Sequence, residues 1–73
     1  LGSAAIMACD ARLKENAVHV GHTPGGVPVY QFDYIDGPKG IVGPMAQEVA
    51  ELQPHALGPW IDGYMTVDMG ALQ

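Results

Sequence analysis

The stretch PGGVPVYQFDYIDGPKGIVG, residues 24–43, decides the fold class. Its centre, VPVYQFDYI at 27–35, alternates Tyr30, Phe32 and Tyr34 with Val29, Gln31, Asp33 and Ile35. A period of two puts the aromatic set on one face of a strand and the remaining set on the other. The aromatic face is the one that gains most from burial. Pro28 has no N–H to give a ladder, so it belongs at a strand start or on an edge. PGG at 24–26 and DGPKG at 36–40 are turns, since Pro fixes φ and Gly supplies positive φ. IVG at 41–43 is a second short apolar segment.

Downstream, MAQEVAEL at 45–52 has helical spacing. Met45, Val49 and Leu52 share one face, and Gln47, Glu48 and Glu51 point outward. Pro44 suits the first helical position and Pro54 stops the helix. Asp62-Gly63, between apolar arms at 57–61 and 64–67, is a two-residue hairpin signal. Asp68 suits the cap of a short terminal helix over 69–73. Upstream, AVHVGHT at 17–23 is weakly extended. The expectation is an α+β domain of short strands, a β-hairpin and one or two short helices. No internal repeat interrupts it.

Seventy-three residues make one domain, in the size range where burial is least complete. Hydrophobic residues are 48% of the chain and charged residues 15%, against about 25% charged in an average soluble domain. That leaves little charge to coat a small body, so an oligomer or a piece of a larger protein is expected. The single Cys9 excludes an internal disulfide framework. Eight acids against three bases (Arg12, Lys14 and Lys39) cannot form the basic patch that nucleic acid requires. The same balance disfavours an anionic membrane surface, and no apolar run approaches the roughly 20 residues of a membrane span. Residues 1–8, LGSAAIMA, lack the basic start of a signal peptide and read as an upstream tail or tag remnant.

Few residue groups suggest chemistry by spacing. His19, His22 and His55 match no usual zinc pattern, so no metal is expected. PGG lacks the surroundings of a phosphate-binding loop, and no cofactor is expected. The carboxylate pairs Asp33/Asp36 and Glu48/Glu51 read as solvated faces, because a glycosidase pair needs a deep cleft. Tyr30, Phe32, Tyr34 and Trp60 read as core. Cys9 and Lys14 are a thiol and an amine that form a nucleophile–base pair if the lysine is desolvated. Five residues apart, they fall about 140° apart on a helix and on opposite faces of a strand. They meet only if the backbone bends between them.

Three stretches, taken in order, resemble one family. Cys9-Asp10-Ala11-Arg12-Leu13-Lys14-Glu15-Asn16 resembles the S-D-x-R-L-K-E-N opening of the intramolecular chaperone auto-processing domain. Gly43-Pro44-Met45-Ala46-Gln47-Glu48-Val49 is similar to its G-x-x-A-Q-E-V helix start. Asp62-Gly63-Tyr64-Met65-Thr66-Val67-Asp68 with Leu72 is similar to its D-G-Y-x-T-V-D-x-x-x-L close. The likeness spans 9–72 and assigns 9–73 to that domain. It implies a homotrimer at the C-terminus of a phage tailspike, tail fibre or endosialidase. Such a trimer assists folding of a preceding trimeric β-structure, in the virion tail or in the host cytoplasm during assembly. It also implies self-cleavage by a Ser–Lys dyad just before the serine.

Carried over by position, the serine falls on Cys9, the lysine on Lys14, and the scissile bond on Ala8–Cys9. The resemblance implies that the nucleophile attacks the carbonyl just before its own amide, through a thioester, with Lys14 as base. By position, Asp10 would orient one partner, and Arg12 would favour a neutral lysine by like-charge repulsion. Cysteine in place of serine is a departure, and a slow or inactive site is the expectation. Many members continue into a long helix where this sequence ends at Gln73, so a short or truncated form is expected, with trimer contacts drawn from elsewhere. Two other functions fit the same residues: a retained fibre-tip binding module with Trp60 exposed, and a structural trimer cap.

Overall fold

A computed structural model describes residues 5–73. Among the described residues five strands form two antiparallel sheets, accompanied by one α-helix. The strands are β1 (Ile6–Ala8), β2 (Lys14–His22), β3 (Pro28–Tyr34), β4 (Ile41–Gly43) and β5 (Thr66–Asp68), and the helix is α1 (Ala46–Leu52). The larger sheet has the order β2-β3-β4, and the smaller pairs β1 with β5. The small α+β architecture read from the sequence is therefore present. No described helix is long and apolar enough to cross a membrane.

The aromatic strand at 28–34 is the centre of the larger sheet. Pro28 opens β3, opposite His22 at the far end of β2, where a missing donor breaks no interior ladder. Phe32 is buried and Tyr30 and Tyr34 are half-buried, so the aromatic face turns inward. PGG forms its turn: Gly26 has φ 92° and its N–H donates to the Thr23 carbonyl at 2.9 Å. A side chain at Gly25 would run into the Gln53 amide and the Gln73 carbonyl, so that close approach needs glycine.

β2 carries two bulges, between Glu15 and Val18 and between His19 and Gly21. Asn16 absorbs the first with φ 55°, a conformation Asn tolerates better than most residues, and its amide donates to Asp33 at 3.0 Å. Bulges twist a strand and spoil its edge for further pairing.

Four local readings are corrected. Pro44 lies ahead of the helix, not at its first position, because Met45 is the N-cap residue. The inward face of α1 is Ala46 and Val49, while Leu52 is 56% exposed. One turn of small residues suffices to cover the small core beneath the helix. Gln47 and Glu48 are half-buried and only Glu51 of the three points out. Gln47 turns to the 9–11 segment and Glu48 to Tyr30. The end of the chain forms a turn over 69–71 rather than a helix, although Asp68 does accept from the Gly70 N–H at 3.0 Å.

The Asp62-Gly63 turn has both residues at positive φ, 52° and 80°, as a tight hairpin turn requires. Its arms make only the isolated bridges Ile61–Tyr64 and Leu57–Val67. β5 instead completes its pairing with β1, in register Ile6–Asp68, Met7–Val67 and Ala8–Thr66. Ile6–Ala8, at the end of the segment read as an upstream tail or tag remnant, form a strand, and residues 1–4 lie outside the described residues. The loose hairpin arm leaves Trp60 65% exposed, which corrects its reading as core.

The core is Cys9, Val27, Ala46, Val49, Ala56 and Val67, with Met7, Leu57, Met65 and Leu72 packed around it. Gln53, also buried, holds the backbone of Gln73 in both directions, at 2.6 and 2.9 Å. Cys9, directly after β1, is part of this core.

Candidate active site

The bend that Cys9 and Lys14 need is supplied by the chain between them. Asp10 caps a single 3-10 turn over Ala11–Leu13, accepting from the Arg12 N–H, and Lys14 then begins β2. A thiol at the end of one strand and an amine at the start of another are folded toward the same interior. Cys9 is fully buried and Lys14 is 8% exposed. The two side chains are electrostatic neighbours: the amine's charge favours the thiolate, and the thiolate's charge favours the ammonium.

Burial dominates both groups. It pushes the Cys9 thiol up despite the nearby amine. It pushes the Lys14 amine down despite Cys9 and Asp10, which favour the cation. A lysine with a depressed pKa is able to act as a base nearer neutrality. Its nitrogen donates to the Pro44 carbonyl at 2.7 Å and lies 3.9 Å from the centre of the Phe32 ring. Both contacts favour the ammonium that forms when Lys14 takes a proton. The cation is therefore received when it forms, while burial pulls the other way, toward the neutral amine.

Lys14 faces Tyr34 directly across the β2–β3 ladder. Cross-strand partners share a face, so the aromatic face of β3 is the wall of this site. Phe32 and Tyr34 meet edge to face with centroids 5.0 Å apart. The Tyr34 hydroxyl donates to the Ala8 carbonyl at 2.6 Å, the carbonyl of the Ala8–Cys9 bond. Burial and the neighbouring Cys9 both push the Tyr34 phenol up, so it keeps its proton. An open cleft of about 360 Å³ adjoins this carbonyl, lined in part by Ala8, Tyr34 and Tyr64.

Asp10 holds the segment. Fully buried, it accepts from the Arg12 main-chain N–H, the Arg12 guanidinium, the Gln47 amide and the Met65 N–H, all at 2.9–3.1 Å. The Arg12 guanidinium beside it holds its carboxyl far below the usual carboxylate range. Gln47 also accepts from the Ala11 N–H at 3.0 Å, and the Ala46 N–H donates to the Cys9 carbonyl at 2.8 Å. The start of α1 therefore fixes the backbone on both sides of Asp10, directly after Cys9.

Arg12 is placed differently from its expected role. Its guanidinium also donates to the Gly63 carbonyl at 2.8 Å and lies over the Tyr64 ring, with 60% of its side chain exposed. Burial, not Arg12, lowers Lys14. Arg12 ties Asp10 to the hairpin tip.

Cys9, Lys14, Asp10 and Ala8 are thus brought together. Tyr34 and Gln47 were missed as site residues. The alternation that put Tyr34 on the Phe32 face was a signal for one, and nothing in the spacing of Gln47 pointed to the 9–11 segment. His19 and His22 meet edge-on at 4.7 Å, and no group of three or more His, Cys, Asp or Glu able to hold a metal occurs among the described residues. No family model matches the chain, and neither a curated protein nor a solved structure matches it.

Proposed function

We propose that this chain is an intramolecular chaperone auto-processing domain: a homotrimer that assists folding of an upstream β-structured tail fibre or tailspike and cleaves itself at Ala8–Cys9. The observation that carries the reading is the buried Cys9–Lys14 pair beside the Ala8 carbonyl. A buried lysine next to a buried thiol costs stability, and perturbed pairs of this kind concentrate at functional sites. The three motifs converge on this place. The first supplies Cys9, Asp10 and Lys14, the second supplies Gln47 and the main chain that grips Cys9, and the third supplies the Met65 N–H and Gly63 carbonyl.

In the reaction, Lys14 takes the thiol proton and the sulfur attacks the Ala8 carbonyl. The amide nitrogen of Cys9 leaves with the proton from Lys14, and water hydrolyses the resulting thioester. Burial of the thiol opposes its ionisation, which supports a slow site. For the trimer, Val18, Val20 and Val42 on the larger sheet are each more than half exposed. That amount of open apolar surface on so small a body supports association.

The test joins the chain to the fibre domain that precedes it. Deletion of residues 9–73 should leave that domain misfolded, and light scattering should give three copies of the intact chain. Normal soluble fibre trimers after deletion, or a monomeric chain, would reject chaperoning by a trimer. A second reading rests on Trp60, exposed beside Ile61: a retained tip that binds a cell-surface glycan or protein. A measured affinity lost on Trp60→Ala would favour it over chaperoning. A structural cap remains if neither is found.

A further inference from the structure

We infer that Tyr34 is a catalytic residue of the Ala8–Cys9 cleavage, the donor that holds the oxygen of the Ala8 carbonyl as it becomes an oxyanion. This inference rests on the proposed self-cleavage and adds a third participant to it. The hydroxyl is already on the reacting atom, at 2.6 Å, at the short end of the O–H···O range. Its position is fixed by groups outside the reaction. The ring is wedged edge-on against Phe32. The Tyr34 N–H donates to the Pro38 carbonyl at 3.0 Å, and the Tyr34 carbonyl accepts from Lys39 at 2.8 Å. The 36–40 turn therefore clamps both main-chain groups of the residue. A donor held in place before charge develops needs no reorganisation when it does, and for that reason such donors contribute strongly to the rate of acyl transfer.

The electron count is simple. The Cys9 sulfur bonds to the Ala8 carbonyl carbon, closing a five-membered ring, and the thiol proton passes to Lys14. The carbonyl electron pair moves onto oxygen, where the Tyr34 O–H receives it. On collapse the carbonyl reforms, the carbon–nitrogen bond breaks, and Lys14 returns the proton to the leaving nitrogen. The product is a thioester and a free amine. Water from the adjoining cleft then adds to the same carbon, with Tyr34 again holding the oxygen. The carbon–sulfur bond breaks, the sulfur takes a proton from the water, and an Ala8 carboxyl group remains. Because its phenol is pushed up by burial, Tyr34 stays a donor through both stages.

The test uses the whole chain and Tyr34→Phe, which removes one oxygen and keeps the ring. Cleavage is followed by mass spectrometry with water or hydroxylamine as the thioester acceptor. Thermal unfolding is measured in parallel, and the stretch frequency of a ¹³C-labelled Ala8 carbonyl reads its hydrogen bond. The expected result is a folded variant, a carbonyl band moved to higher frequency, and cleavage slowed by about 100-fold or more. A rate within about threefold of wild type, with Lys14→Ala inactive, overturns the role of Tyr34 and leaves the Cys9–Lys14 pair standing. No product from wild type with either acceptor overturns the pair, and the role of Tyr34 with it. If Tyr34→Phe does not fold, 3,5-difluorotyrosine at position 34 takes its place. A stronger donor of nearly equal size should then raise the rate at neutral pH, and an unchanged rate overturns the inference.

Discussion

Asp10→Asn tests how the site is held, and its cost can be worked from the contacts. Asn has one acceptor oxygen where Asp has two, and an NH₂ group in place of the other. The less damaging orientation keeps the oxygen toward the Arg12 N–H, Arg12 Nε and Gln47. The new NH₂ then faces two donors, Arg12 Nη2 and the Met65 N–H. Arg12 loses little, because its head is exposed and still reaches Gly63. The Met65 N–H has no such escape, and a stranded donor costs about 1–3 kcal/mol. The three surviving bonds lose the carboxylate's charge, at roughly 1 kcal/mol for the strongest, from the Arg12 guanidinium. Relief from burying a full charge offsets part of this sum of about 2–4 kcal/mol, leaving a net loss of about 1–3 kcal/mol. A domain of this size has about 4–11 kcal/mol in all, so the variant should be plainly less stable by urea denaturation followed by circular dichroism.

The pH dependence sharpens that test. Folding lowers the pKa of Asp10, so its contribution is complete above the unfolded value near 4 and is lost as pH falls below it. The gap between wild type and Asp10→Asn should be full at neutral pH and shrink in acid. A loss below about 0.5 kcal/mol, or a gap that is the same at neutral pH and in acid, would refute the reasoning.

Lys14→Met should abolish cleavage and raise neutral-pH stability by about 1 kcal/mol, since a buried cation is replaced by a thioether of similar length. Folding lowers the Lys14 pKa, so the stability of wild type relative to Lys14→Met should rise with pH between the folded value and the ordinary lysine value, as pH-dependent denaturation of the two proteins would read, with the opposing term from the raised Cys9 thiol present in both. The wild-type cleavage rate should rise with pH through that same depressed value. Phe32→Leu removes the ring beneath the Lys14 nitrogen, so the pH–rate profile should move further down while stability falls by about 1 kcal/mol. Gly58→Ala drives a methyl group into the Thr66 side chain and disturbs its bond to the Pro59 carbonyl, at a cost of about 1–3 kcal/mol seen as a lower Tm.

The larger sheet was legible because its signals are local. Alternation placed β3, and Pro and Gly placed the turns on either side of it. The smaller sheet was not, because β1 is three residues whose partner lies about sixty positions later, and no local pattern in LGSAAIMA marks that pairing. Trp60 and Leu52 misled for a common reason: the core is built of valine and alanine and is too small for every large apolar side chain. From spacing, the Cys9–Lys14 pair was legible only as a condition, that the chain bend between them, and the resemblance alone singled it out. The bend is a 3-10 turn capped by Asp10, stabilised from α1 and from the hairpin by contacts 37 and 55 residues away in sequence. Such long-range polar contacts leave no periodicity to read.

The measurement that bears most directly on the account is the intact mass of the chain under denaturing conditions, after long incubation at mildly alkaline pH with hydroxylamine. Slow conversion to a fragment that begins at Cys9 and a separate piece ending at Ala8 is expected, with no conversion in Cys9→Ala or Lys14→Ala. A wild-type chain that keeps its full mass throughout, or cleavage that persists in Lys14→Ala, would contradict it.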